Sequence, residues 1–251
     1  SLAKGLAQEF QSFAPKQANI ILAFGGDGTV LETVRSYWRK RIPILGVNTG
    51  SRGFLANSLE SFQDLQLPNK LNIFHTSLLF IEAELISGKK VTSLAFNEAG
   101  VRNRTDYQKR KIQSANISIQ VKGPLNMEAP YMSGDGAIVA TPQGSTAYAK
   151  AMGSLPLRID STSLVLVGNN IDTPPWTGGA IYGDSVVTIN NLDTQKRPIN
   201  AFADNILLGE VARVKIRKSR VAAAELLFLP DHDIMKKNVE ASFAGFNIKN
   251  P

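Results

Sequence analysis

Residues 20–29 read Ile20-Ile21-Leu22-Ala23-Phe24-Gly25-Gly26-Asp27-Gly28-Thr29, and the fold class follows from them. The apolar run Ile20–Ala23 reads as a buried parallel strand. Val30, Leu31, Val34, Tyr37 and Trp38 fall on one helical face, which predicts a helix from Val30 to Arg39. The turn between strand and helix is rich in glycine. Without Cβ atoms its N–H groups can approach an anion, and the helix dipole favours negative charge there. The same turn carries an acid, Asp27. A carboxylate repels phosphates, so anion binding alone does not account for it. Orienting or deprotonating a hydroxyl that attacks a phosphate does. A plain turn in which Asp27 caps the following helix is the other reading, and the loop by itself leaves both standing.

Outward from this loop, Ile42-Pro43-Ile44-Leu45-Gly46-Val47 is the next short apolar strand, completing a βαβ unit. Asn48-Thr49-Gly50-Ser51-Arg52-Gly53-Phe54-Leu55 then forms a second glycine-rich turn, at the strand end where ligands of open α/β sheets bind. Upstream, Leu2, Leu6, Phe10 and Phe13 have helical spacing. No strand precedes that helix, so the natural domain is expected to begin before Ser1.

The texture changes after Pro68. Leu79, Ile81, Ala83 and Leu85 alternate with Phe80, Glu82 and Glu84, a strand pattern. Val91 to Val101 reads as a second strand, interrupted by the polar pair Asn97-Glu98, and Ile117, Ile119 and Val121 alternate again. These hairpin-linked strands predict an antiparallel β domain from about His75. Gly134-Asp135-Gly136 leads into the short strand Ala137–Ala140. The turn Thr141-Pro142-Gln143-Gly144 follows, after which Ser145 or Thr146 is expected to cap a helix to about Met152. Further strands are expected at 163–167, 186–189, 211–217 and 226–229. The expected domains are therefore 1–74, α/β, and 75–235, β-rich, with the tail 236–251 returning to the first.

Composition narrows the function. The chain has 251 residues, 43% of them hydrophobic, enough for a substantial core. It has no cysteine, which excludes disulfides, cysteine zinc sites and thiol catalysis and suits a reducing cytoplasm. No apolar run has the length of a membrane span, and no secretory signal is visible. A net charge of +7 suits anionic partners, but the excess is modest and partly spread and argues only weakly for nucleic acid, so no nucleic-acid partner is expected. His75 and His232 are the only histidines and lie far apart, so both read as structural and no His triad or zinc site is available. Arg102, Arg104, Lys109, Arg110 and Lys111 read as a solvated hairpin loop. Asn97-Glu98 stands among apolar neighbours, a local inconsistency of the kind found at functional sites. A carboxylate and a carboxamide suit ribose hydroxyls and an adenine edge, while two solvent-facing side chains at a strand end would look the same.

Taken together, five stretches resemble the NAD kinases in order and spacing. They are Gly-Gly-Asp-Gly-Thr at 25–29, Gly-Val-Asn-Thr-Gly at 46–50 with Gly53-Phe54-Leu55, Asn97-Glu98, Gly134-Asp135-Gly136, and Thr-Pro-Gln-Gly-Ser-Thr-Ala-Tyr at 141–148. Lipid kinases of the same superfamily share the first, so the last is the specific one. The resemblance implies a Rossmann-like α/β domain and a β-sandwich-like domain with NAD bound between them. It implies phosphorylation of the 2′-hydroxyl of the adenosine ribose to give NADP. The donor would be ATP or polyphosphate, with Mg²⁺ or another divalent cation, in a homodimer or homotetramer.

By the same resemblance Asp27 is the general base, and Gly25, Gly26, Gly28 and Thr29 line the donor phosphates. Asn97 contacts adenine, Glu98 the ribose, and Asp135 the nicotinamide end. Thr146, Ala147 and Tyr148 build the adenine side, Gln143 and Ser145 are further NAD contacts, and Phe54 packs near the dinucleotide. Four stretches depart from the family pattern. Gln143 replaces Thr or Ser, turning a hydroxyl contact into a longer amide one. Ser51-Arg52 replaces His-Leu or Arg-Leu. Gly153-Ser154-Leu155-Pro156 stands for Gly-Gly-Pro, and Ala203-Asp204-Asn205 resembles a late Asp-Gly-Gln, which carries Asn205 over as a dinucleotide contact. A lipid kinase sharing the Asp27 loop is the nearest rival but leaves 141–148 unexplained. A non-catalytic dinucleotide binder would gain nothing from an acid beside phosphates.

Overall fold

A computed structural model describes residues 18–50, 53–59, 71–103, 113–230 and 232–243. The helix expected over 1–13 and most of the basic cluster, 104–111, lie outside them. The elements run β1 (Ile21–Phe24), α1 (Asp27–Tyr37), β2 (Ile44–Asn48), β3 (Asn57–Ser58), β4 (Asn72–Leu85), β5 (Lys90–Ala95), β6 (Glu98–Asn103) and β7 (Ala115–Lys122). There follow β8 (Met127–Gly134), β9 (Gly136–Ala140), a 3₁₀ turn (Gly144–Thr146), α2 (Tyr148–Ala151) and β10 (Leu164–Asp172). The chain closes with β11 (Pro175–Ile181), β12 (Val186–Asn191), β13 (Ile199–Ala203), β14 (Ile206–Phe228) and α3 (Ile234–Ser242). Among the described residues no helix is long and apolar enough to cross a membrane.

Two compact units result. The first takes the described residues up to Ser77 together with Val221–Lys237, and the second takes Leu78–Arg220 and the described residues from Asn238, so the described tail from 238 does not return to the first unit as expected. This corrects the expected division at its far end: 221–235 belongs with the α/β unit. The reason is strand pairing. Leu226 and Leu227 pair in parallel with Ile44 and Leu45, beside the parallel pair of β1 and β2. Buried Asn57 fastens this arrangement, donating from Nδ2 to the carbonyls of Gly46 (2.9 Å) and Leu227 (3.0 Å) and accepting the Leu229 amide (2.8 Å). Leu45, Val47, Leu227 and Leu229 form the core there, with Leu22 and Phe24 packed against it.

In the second unit two antiparallel sheets face each other. One places β4, β5, β7, β8 and β12 with β14, and the other places β6, β9, β10 and β11 with β13 and β14. Period-two alternation sends Leu79, Ile81, Ile117, Ile119, Val214 and Ile216 inward from the first sheet, and Ala99, Val101, Val139 and Leu166 from the second. The outer side of the second sheet buries Ile138, Ala140, Val165, Val167 and Phe202 with Ala149 of α2. That packing anchors the segment carrying Tyr148.

Two expectations about strands are overturned. The segment 91–101 is not one strand: β5 pairs with β4, whereas β6 pairs with β9 and β13. Phe96 and Asn97 are the corner where the chain changes sheet, so the polar pair marks a sheet switch and not a flaw in a strand. Conversely, 211–217 and 226–228 are parts of one 23-residue strand, β14, with Leu229 just past its end.

Candidate functional site

Each unit holds its own polar constellation. In the first, Gly26 is the N-cap of α1, and Asp27 opens the helix. Asp27 does not cap its own helix, against that reading of the loop. Its Oδ1 accepts the amides of Phe54 (2.9 Å) and Leu55 (2.8 Å), and its Oδ2 also lies 3.0 Å from the Phe54 amide. The acid of the first glycine-rich turn thus holds the second, which fixes both carboxylate oxygens beside the positive end of α1. A Cβ on Gly25, at φ +155°, would lie 2.1 Å from Thr29 Oγ1, so the tight entry to the helix needs glycine. Gly28 is different: a Cβ there would meet nothing within 4 Å. Packing among the described residues does not demand glycine at 28. Phe54, expected near the dinucleotide, is placed here through its amide.

The second unit holds the Asn97-Glu98 corner. Its amides converge on Asp204: Phe96 N–H on Oδ2 (2.9 Å), Asn97 N–H on Oδ1 (2.9 Å) and Glu98 N–H on Oδ1 (3.2 Å). Its carbonyls are held by the 141–148 block. Thr141 Oγ1 and Gln143 Nε2 each donate to the Phe96 carbonyl at 2.8 Å, and the Thr141 amide donates to the Asn97 carbonyl at 2.8 Å. A Cβ on Gly144 would lie 2.2 Å from the Asn97 carbonyl oxygen. The Gln143 side chain, expected to contact NAD through its amide, is buried and tied to this corner.

With the backbone so occupied, the side chains are left over. Asn97 Oδ1 and Glu98 Oε2 are buried and have no hydrogen-bond partner among the described residues. Burial, and then the neighbouring Asp204 charge, push the Glu98 carboxyl up to about 7. Unpaired buried acceptors are costly and mark a place where a donor belongs. A carboxyl near neutrality and a carboxamide can together meet hydroxyls or an amide edge.

Asp135 lies between β8 and β9, accepting Asn103 Nδ2 (2.7 Å) and Asn170 Nδ2 (2.6 Å) on its two oxygens. This carboxylate already receives carboxamides, the chemistry that a nicotinamide end presents. Neither Ser145 nor Thr146 caps α2, contrary to expectation, because Ala147 is the N-cap. Ser145 Oγ donates to the Pro142 carbonyl (2.6 Å) and accepts the Leu157 amide (2.8 Å), and Thr146 Oγ1 donates to the Gln143 carbonyl (3.0 Å). Ala147, Tyr148 and Asn205 are exposed, Tyr148 at 37%. His232 is buried and stacked on Phe228, a structural place. Among the described residues no three His, Asp or Glu side chains could together hold a metal ion. Sequence reasoning quoted Asp204 within the Asp-Gly-Gln-like stretch Ala203-Asp204-Asn205 but carried over only Asn205 and gave Asp204 no role.

The comparisons with known proteins fit this geometry. Residues 4–67 match the ATP-NAD kinase N-terminal domain. The chain is 33% identical over 231 residues to the NAD kinase of Rickettsia felis, covering 92% of this chain and 88% of that one. It is 31% identical over the same span to the NAD kinase of Rickettsia africae, with the same coverage. In fold it resembles yeast NADH kinase complexed with NADH, with a TM-score of 0.75 at 16% identity, covering 99% of this chain and 79% of that one. It also resembles an NAD kinase from Archaeoglobus fulgidus in complex with ATP, with a TM-score of 0.71 at 19% identity and coverage of 96% and 93%. The chain belongs to the NAD kinase family.

Proposed function

We propose that this chain transfers a phosphoryl group from ATP to the 2′-hydroxyl of the adenosine ribose of NAD, giving NADP. The observation that carries the proposal is the fixed Asp27 carboxylate, held by the Phe54 and Leu55 amides at the mouth of a glycine-rich helix. Gly25, Gly26, Gly28 and Thr29 cradle the donor phosphates, and the open space over Gly28 is the room this needs. Asp27 orients the attacking hydroxyl. Phosphoryl transfer passes through a loose transition state, so the hydroxyl keeps its proton until late and Asp27 accepts it then. Asn97 and Glu98 offer their unpaired acceptors to adenine and ribose donors. Asp135 takes the carboxamide of the nicotinamide end, and Thr146, Ala147 and Tyr148 form the adenine side.

A divalent cation such as Mg²⁺ binds through one or two carboxylates plus substrate phosphates, without an all-protein cage. Asp27 together with the donor phosphates fits that requirement. The ion would neutralise charge on the transferring phosphoryl group. The protein acts in the cytoplasm as a homodimer or homotetramer, and light scattering at micromolar concentration that finds only monomer contradicts the assembly. Incubating the protein with NAD, ATP and Mg²⁺ and assaying NADP tests the activity. NADP formation is expected, and its absence with correctly folded protein overturns the reading.

A further inference from the structure

The corner carrying Asn97 and Glu98 poses a backbone problem. Phe96 and Asn97 lie between two strands that belong to different sheets, so no single ladder orders them. Buried N–H groups must nevertheless be paired. One carboxylate more than 100 residues away in sequence solves this for three consecutive amides, and Asp204 N–H returns a bond to the Glu98 carbonyl at 2.8 Å. Bonds to an ionised acceptor are about twice as strong as neutral ones.

The turn that carries Asp204 makes the point sharper. Ala203 pairs with Ile206, so Asp204 and Asn205 are a two-residue hairpin turn, and Asp204 has φ +51°. A positive φ at the first central position of a two-residue hairpin turn is met by glycine, asparagine or aspartate. An aspartate is tolerated in the left-handed region but gains nothing there from the backbone alone. Its carboxylate is what the position supplies.

We propose that Asp204 is a positioning residue for NAD binding: its carboxylate holds the Phe96–Glu98 corner so that the Asn97 and Glu98 side chains are presented to the dinucleotide. This rests on the NAD kinase reading above. Asp204 acts through the backbone, while Thr141 and Gln143 hold the carbonyl side of the same corner. The electrostatics agree. Asp204 also pushes the Glu98 carboxyl upward, so the tie places a second negative charge near a buried acid.

Two variants test the proposal. Asp204→Asn keeps the size and the tolerance of positive φ, but loses the charge and the oxygen facing the Phe96 amide. Asp204→Gly relaxes the turn while deleting the carboxylate altogether, so it is expected to fold even if the first variant does not. In both, amide hydrogen exchange at Phe96, Asn97 and Glu98, measured without nucleotide, is expected to quicken by roughly tenfold or more. The titration midpoint of Glu98, followed by carboxyl-carbon NMR, is expected to fall from about 7. KM for NAD is expected to rise by roughly 10- to 100-fold while kcat changes far less. Unchanged exchange and an unchanged Glu98 midpoint overturn the proposal. Faster exchange with an unchanged KM overturns the positioning role and leaves Asp204 a structural tie. Wild-type protein that binds no NAD overturns the underlying reading instead, and the exchange data, taken without nucleotide, separate the two failures.

Discussion

Asp27 and Asp204 use one device for opposite ends. Each is a carboxylate that accepts backbone amides from a distant stretch: Asp27 from Phe54 and Leu55, Asp204 from Phe96, Asn97 and Glu98. In the proposed reaction, the amides at Asp27 hold an acid that carries the chemistry, whereas at Asp204 the acid holds amides of residues that would bind the dinucleotide. A hydrogen bond between carboxylate and backbone therefore does not by itself say which partner is the functional one. What discriminates is what remains unpaired. At the second constellation the leftover acceptors are Asn97 Oδ1 and Glu98 Oε2, on the held segment.

Beyond the two acids themselves, the contrast can be broken at four places. Gly144→Ala should have the largest effect on stability. Its new Cβ would lie 2.2, 2.5 and 2.6 Å from the Asn97 carbonyl oxygen, carbonyl carbon and Cα, none of which is a movable side-chain end. A loss of about 3 kcal/mol is expected, with weakened NAD binding. Chemical denaturation and calorimetry on the same sample check it, and a neutral outcome means that the corner is looser than drawn.

Glu98→Gln tests the electrostatics. The folded Glu98 value of about 7 lies above its ordinary 4.5. Between those pH values the folded state keeps a proton that the unfolded chain releases. The contribution to stability is therefore full below about 4.5 and lost as pH rises through about 7. Removing the carboxylate should raise stability relative to wild type on going from acid pH to pH ~8, on the order of 2 kcal/mol. Denaturant curves at both pH values decide, and a difference independent of pH contradicts an uncompensated acid at 98.

Tyr148→Ala should leave the fold intact, since the ring is exposed, and weaken NAD binding by about 0.5–1.5 kcal/mol. Unaltered affinity by calorimetry removes Tyr148 from the site. The smallest effect is expected at Gly28, which lies on an exposed helical turn with open space around it. Gly28→Ala should stabilise the protein by ~0.5–1 kcal/mol while lowering NADP formation, because the added methyl enters the space proposed for the donor phosphates. If activity rises along with stability, the open space is not a ligand's.

These contrasts also explain how far the sequence could be read. Asp27 was legible because strand, turn and helix are contiguous, so the period of the apolar residues and the glycines locate it without tertiary knowledge. Asn97-Glu98 was legible as an anomaly but not as a corner, since alternation continues across 91–101 while the sheet partners change. Asp204 was illegible because its meaning lies in three bonds to residues more than 100 positions away. The end of β14 was misassigned for a related reason. The sequence marks 226–229 as a strand, but only its parallel pairing with β2 says to which unit it belongs. Gln143 looked like a ligand contact because it stands inside the most specific block, and burial turned it inward.

Asp27→Asn is the most direct test. The asparagine Oδ1 can still accept the Phe54 and Leu55 amides, so the two glycine-rich turns stay joined, while the charge and the second, proton-accepting oxygen are lost. Turnover, read as NADP formed, is expected to fall by roughly 10²–10⁴-fold, with NAD affinity by calorimetry changed little. Turnover near that of wild type, or an equal loss of binding and turnover, would contradict Asp27 as the group that receives the proton.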